Sequence, residues 1–305
     1  MSIVIGRAYD TKTPLQILGQ AFICILCNQS AIRIIIQNAQ PCALFKKPIH
    51  SGMDMYLIFA ALFGLVLGSF YSVCVSRYGT DNTLFKPSRS FCPQCDHQLT
   101  ILENIPLVSF IIQQGRCSLC KARIPIFYPL IELTSMFWAI LAATHATTYA
   151  EWVVLLAIGG ICIVASAIDL RTFLLPDVLT YSGAAIVLIA SYAGILHVDF
   201  MQSLLGASIG AFALWAISAL YKLIRKIDGM GLGDVKFMLM LGALTGIDHL
   251  SIFIFLASVI ALIFCIISTR GKAGMSRVYI PFGPFLASGA LITYLYGDQI
   301  ASFIR

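Results

Sequence analysis

Charge is what this chain has least of: charged residues make up 11% of its 305 positions, against 59% hydrophobic, and the mean hydropathy is +0.89. A soluble globular chain carries about 25% charged residues to wet its surface, so an ordinary cytosolic enzyme is excluded. Long polar or low-complexity stretches are also missing. The apolar residues come instead in blocks of roughly 20 separated by short polar breaks, the length a helix needs to cross about 30 Å of hydrocarbon. That excludes a disordered or fibrous chain and predicts an all-α polytopic membrane protein in contact with lipid. The formal charge of +6, from 20 Lys and Arg against 14 Asp and Glu, would point to nucleic acid in a soluble domain. In a membrane protein it is read through the position of each cation, and no nucleic-acid partner is expected.

Eight segments qualify as spans, at about 55–76, 127–145, 151–169, 178–197, 202–224, 234–247, 250–269 and 279–297. Arg77, Lys86, Arg89, Arg116, Lys121, Arg123, Arg171, Lys222, Arg225, Lys226, Lys236, Arg270, Lys272 and Arg277 all fall on one side of them. The loops of the other side, around 146–150, 198–201 and 248–249, hold no Lys or Arg, and Arg305 alone lies there. By the positive-inside rule the rich side is cytoplasmic.

Residues 1–53 break that pattern. They place Arg7, Lys12, Arg33, Lys46 and Lys47 where the rule expects none, and their best apolar run, Leu18 to Gln37, is interrupted by Asn28, Gln29, Ser30 and Arg33. No basic region leads into an uninterrupted apolar core, so they do not read as a signal peptide. Two expectations stand side by side: translation beginning at Met53 or Met55, or a poorly ordered amphipathic lead-in. The expected organisation is this lead-in, a first transmembrane helix at 54–76, a cytoplasmic loop at 77–126, and a seven-helix core at 127–305.

The long loop contains Cys92-Pro93-Gln94-Cys95 and Cys117-Ser118-Leu119-Cys120, with 21 residues between the pairs. Two such knuckles close a tetrahedral four-thiolate zinc site, and a reducing compartment disfavours the competing disulfide reading. A loop of about 50 residues with few large apolar side chains gains its missing stability from metal binding. Four thiolates leave no open ligand position, so the zinc is expected to be structural. The other six cysteines, Cys24, Cys27, Cys42, Cys74, Cys162 and Cys265, read as small apolar residues or as part of the lead-in. His97, His145, His197 and His249 show no metal spacing and read as loop residues.

Ionisable groups inside a span are costly and therefore candidates for function. Asp169 sits at the cytoplasmic end of the third span, and Asp234 opens the sixth within Gly229-Met230-Gly231-Leu232-Gly233-Asp234-Val235-Lys236. Alternating topology puts both on one side at similar depth. Two carboxyls that close together share a proton, one acting as base toward water and the other as acid toward a carbonyl, which is the chemistry of amide hydrolysis. The bland readings are a helix cap for Asp234 and a snorkelling interfacial residue for Asp169 beside Arg171. The glycines before Asp234 shift the balance, because a turn without side chains lets a substrate strand approach the acid. Asp177, after Pro176, reads as the N-cap of the fourth span and Asp228 as a loop residue, either able to touch substrate. Gly159, Gly160, Gly206 and Gly210 are expected to let helices pack closely.

Gly229 to Asp234 resembles the GxGD signature of membrane aspartyl peptidases. The stretch from Asp169 through Leu174-Leu175-Pro176-Asp177-Val178-Leu179-Thr180 resembles the first catalytic motif of the type IV prepilin leader peptidases. Gly68-Ser69-Phe70, Ser88-Arg89-Ser90, Asn104-Ile105-Pro106, Gly115-Arg116-Cys117, Tyr128-Pro129 with Glu132, and Ile280 to Phe285 resemble further motifs of that family, in order, from about Gly68 to Ala287. The resemblance implies an inner-membrane enzyme that removes short basic leaders from type IV prepilin and type II secretion pseudopilin precursors at the cytoplasmic face, with Asp169 and Asp234 as the catalytic pair. In members with the four-cysteine loop it also implies methylation of the new N-terminal amine by S-adenosylmethionine. Gly231, Gly233, Lys236, Glu132 and Asp177 are candidates for binding substrate or shaping the turn, Glu132 as partner of the leader's Lys or Arg or of the new amine. A helix-packing hydrogen bond is the alternative for Glu132. Two positions depart from the family's pattern: Ser72 stands where Asn is common, which loses the amide's paired donor and acceptor, and Tyr78-Gly79 follows Arg77 where Leu-Pro or Met-Pro is often seen. The competing classes are a GxGD intramembrane peptidase with other substrates, which usually lacks the cysteine loop, and a non-enzymatic scaffold or transporter using the acids as a proton relay.

Overall fold

The computed structural model describes residues 53–79, 90–226, 231–269 and 280–304. The lead-in, Lys86, Ser88, Arg89, Asp228, Gly229, Met230, Arg270, Lys272, Arg277 and Arg305 lie outside these residues, and with them part of the charge asymmetry. The described residues form nine α-helices and one 3₁₀ turn, with two isolated β-bridges and no strand. The helices are α1 (Met53–Arg77), α2 (Val108–Ile112), α3 (Phe127–His145), α4 (Tyr149–Thr172), α5 (Asp177–Tyr192), α6 (Phe200–Arg225), α7 (Leu232–Thr245), α8 (Leu250–Thr269) and α9 (Gly283–Ile304). All but α2 correspond to the eight expected spans. α1, α3, α4, α6 and α8 are each long and apolar enough to cross a membrane. α5 and α7 are shorter, and α9 carries Thr293, Asp298 and Gln299.

Local chemistry sets the helix ends. Thr148 caps α4 by accepting the Glu151 N–H, and α4 stops where Phe173 turns left-handed at φ 56° and returns its N–H to the Asp169 carbonyl. Asp199 caps α6 by accepting the Met201 N–H. The expected role of Asp177 is corrected here: the capping position of α5 is Pro176, with no side-chain cap, and Asp177 is the first helical residue.

Three helix pairs pack most extensively, α1 with α3, α6 with α7, and α8 with α9, and each has a glycine at its crossing. A Cβ on Gly68 would fall 2.7 Å from the Glu132 Cα, one on Gly289 2.9 Å from the Ala257 N, and Gly206 and Gly242 face each other's carbonyls. Small residues let backbones approach where lipid offers no hydrophobic drive to associate. Gly159 and Gly160 work differently from the expectation: they make room for the Trp138 and Tyr71 rings. Trp138 then donates to the Leu155 carbonyl at 2.9 Å. The core centres on α4 and α7, where Leu155, Ile158, Phe237, Met238, Met240, Leu241 and Leu244 are fully enclosed.

Candidate active site and four-cysteine lobe

The end of α4 and the starts of α5, α7 and α9 converge on Leu175. A Cβ on Gly233 would lie 3.1 Å from the Leu175 Cβ, and one on Gly283 would lie 3.4 Å from its Cδ2 and 2.8 Å from Asp169 Oδ2. Asp169 is buried, and its Oδ2 accepts the Gly283 N–H at 2.9 Å. Asp234 occupies the first turn of α7 without capping it, half-buried and within electrostatic range of Asp169. Both acids therefore lie at one end of the bundle, where Gly283 packs closely on Asp169 and Gly233 on Leu175. Arg171 does not serve as a snorkelling partner for Asp169: its guanidinium donates to the Val75 carbonyl at 3.3 Å and lies over the Phe127 ring at 5.4 Å.

Lys236, two residues past Asp234, is bound to both Asp177 oxygens at 2.8 Å and lies 5.9 Å from the Tyr181 ring centre. The pair ties the start of α5 to the start of α7. Glu132 is buried in α3, and its Oε2 accepts the Leu107 N–H at 2.8 Å. Ser72, also buried, donates to the Ser69 carbonyl of its own helix at 2.7 Å.

The sulfurs of Cys92, Cys95, Cys117 and Cys120 lie within 4.8 Å of one another, all as free thiols, with Cys92 and Cys120 3.8 Å apart. A tetrahedral ion with sulfur at about 2.3 Å spaces its ligands by about 3.8 Å, so the set fits a metal. The two knuckles repeat one backbone design. Cys92 donates to the His97 carbonyl as Cys117 donates to Ala122, and Asp96 and Lys121 turn left-handed at matching positions. The N–H groups of Cys120 and then Leu119 point at the Cys117 sulfur and pull that thiol down to about 6, favouring the thiolate. Glu103 joins the knuckles: the Ser118 hydroxyl, followed by the Thr100 N–H and hydroxyl, holds its carboxyl at about 2, and His97 Nε2 lies 3.3 Å away.

Sequence reasoning missed two features. The Gly283 amide has no side-chain signal. At the far end of the bundle Glu151 is enclosed, bonded to the Thr147 N–H and hydroxyl at 2.8 Å, the Tyr294 hydroxyl at 2.9 Å and His197 Nε2 at 3.0 Å. Thr148 and Glu151 form the S/T-x-x-E capping pattern that would have marked it. His145 meets the Tyr296 hydroxyl at 3.0 Å and His249 meets Asp298 at 3.2 Å, so these histidines fasten helices together.

The fold and site define a helical membrane protein with two acids at one end of the bundle and a four-cysteine lobe that could hold a metal. Residues 62–146 match the bacterial peptidase A24 N-terminal domain, and residues 154–266 match the type IV leader peptidase family. A Stutzerimonas stutzeri protein called prepilin leader peptidase/N-methyltransferase is 35% identical over 275 residues, covering 82% of this chain and 94% of that protein. A Pseudomonas aeruginosa protein of the same name is 36% identical over 270 residues (80% and 92%), and one from Aeromonas hydrophila 32% over 288 residues (85% and 97%). No solved structure matches. The chain belongs to the type IV leader peptidase family.

Proposed function

We propose that the chain is the aspartic endopeptidase that removes the short basic leader of type IV prepilin and type II secretion pseudopilin precursors at the cytoplasmic face of the bacterial inner membrane. The meeting of Asp169, Asp234 and the Gly283 amide at one end of the bundle supports this reading. The pair holds one proton between two carboxyls. The ionised member takes a proton from water as its oxygen attacks the scissile carbonyl carbon, and the protonated member gives its proton to the carbonyl oxygen. Collapse of the tetrahedral diol breaks the C–N bond, the first acid's proton goes to the leaving amine, and the second recovers its own from the diol. The Gly283 N–H holds Asp169 in orientation throughout, and Lys236 with Asp177 holds the first turn of α7 against α5. A precursor with a basic leader followed by an apolar helix presents its scissile bond at an interfacial site of this kind.

The four cysteines hold a structural zinc in this reading, which stabilises the lobe at 77–126 beside the core at 127–305 and supplies no reactive position. The lobe favours leader peptidase over a GxGD peptidase with other substrates. The relatives' names extend the proposal to N-methylation by S-adenosylmethionine. Ser72 and Glu132, the polar groups nearest that expectation, are both bonded to the protein's own backbone. They do not outline a cradle for that cofactor. Co-expression with a tagged prepilin-like precursor tests the proposal: wild type yields a shortened product, while Asp169→Asn and Asp234→Asn, though inserted, yield none. A product heavier by about 14 Da, one CH₂ on the new amine, adds methylation. Uncleaved precursor with inserted wild type overturns the substrate class.

A further inference from the structure

The four-cysteine lobe turns its large apolar side chains outward. Ile101, Leu102, Ile111 and Ile112 are each 72–86% exposed, and Ile105 and Val108 between them are exposed as well. Their depth follows from Glu132. α3 has 19 residues, about 28 Å of helix against about 30 Å of hydrocarbon, so Phe127 lies near the hydrocarbon edge. Glu132 lies about 8 Å further in at 1.5 Å per residue, and its hydrogen bond holds the Leu107 backbone at the same level. There the chain makes a tight γ-turn, with Leu107 at φ 59°, ψ −45° and the Val108 N–H on the Pro106 carbonyl at 2.6 Å. An irregular backbone at that depth has no water to satisfy its N–H groups and needs a protein partner. A buried carboxylate on a spanning helix is such a partner, and Leu130 and Leu133, two residues before it and one after, are exposed as lipid-facing residues are.

We propose that residues 101–112 are an interfacial anchor embedded in the bilayer, with Ile101, Leu102, Ile111 and Ile112 against lipid chains and Glu132 setting the depth. The occupant of this face is the phospholipid leaflet on the lobe's side, because the segment is pinned below the hydrocarbon edge beside a spanning helix. Glu132 is then a positioning residue for the lobe.

A benzophenone photo-crosslinker placed at Ile111 or Leu102 of the full-length protein tests this, in vesicles of phosphatidylethanolamine and phosphatidylglycerol, with and without a prepilin-like precursor. A crosslinker at Gln94, an exposed polar position of the lobe, is the control. Lipid adducts at Ile111 and Leu102, absent at Gln94 and unchanged by precursor, are expected. Adducts with the precursor, adducts with a second copy of the chain, or no lipid adduct at all overturn the proposal. In a second arm Glu132→Leu removes the acceptor: loss of the Ile111 lipid adduct with zinc content retained is expected, and an undiminished adduct overturns the role of Glu132. Should Glu132→Leu fail to insert, the first arm still decides whether the face meets lipid. Precursor cleavage is not the readout, so failure here is separate from failure of the peptidase assignment.

Discussion

The lobe and the bundle are built on different physics. From Ser90 to Ile126 the only buried residues are Cys92 and Cys117, so the core of the lobe is its sulfur cluster. α4 alone buries 13 residues, among them aromatic and aliphatic side chains, two glycines and two acids. The bundle draws its order from close contact between helices, and the lobe from hydrogen bonds around two repeated turns and, on the proposed reading, from zinc coordination. Removing the proposed zinc should therefore separate the two regions, while filling a glycine contact should disturb only the bundle.

The largest effect should come from the metal. Chelation, or Cys92→Ser with Cys117→Ser, removes apparent binding energy on the order of 10–16 kcal/mol from the lobe. Protease sites within 90–126 should open while the helical circular dichroism of the bundle persists; simultaneous loss of both would erase the distinction between the regions. Next come Asp169→Asn and Asp234→Asn, which should lower precursor cleavage by about 10³-fold or more, roughly 4 kcal/mol of barrier, with insertion unchanged. Mass spectrometry of the product N-terminus measures this. Gly206→Val should cost about 1–3 kcal/mol by overpacking against Gly242 and Gly246, read in the thermal midpoint with lobe metal content unaltered.

Lys236→Met should cost at most about 1 kcal/mol of stability, since both partners are partly exposed. A cleavage loss larger than that would mark the pair as shaping the site. The smallest effect concerns His197, whose ring charges more readily than usual because it is hydrogen-bonded to Glu151. Its stabilisation is complete below the free histidine value and is lost as pH rises through the raised folded value. Most of the ring is exposed, so a few tenths of a kcal/mol are at stake. The stability gap between wild type and His197→Gln should close as pH rises above neutrality.

The spans were legible because each apolar block is long and punctuated. Their edges moved where local chemistry intervened. α4 begins two residues early because Thr148 caps it, α5 stops short of Gly194 at φ +66°, and α9 waits for Gly283, whose amide serves Asp169. The acids and cysteines were legible as residue types at telling intervals. Lys236 on Asp177, Leu107 on Glu132 and Gly283 on Asp169 were not, since each joins positions between 25 and 114 residues apart through atoms that carry no periodic signal. Asp177 misled because Pro-Asp before an apolar run resembles a cap, while its carboxylate belongs to a distant lysine.

One feature of α9 governs how the reagent water arrives. Tyr296 meets His145, the last residue of α3, at the far edge of the bundle, and Gly283 stands about 20 Å back along the helix. Along α4, Asp169 stands 20 residues, about 30 Å, from Tyr149 at that same far end, so α9 reaches the acids by a shorter path than α4 and the two helices are tilted against each other. A hydrocarbon layer of about 30 Å then ends close to the acids, and in the proposed reaction water enters from that boundary without crossing the bundle.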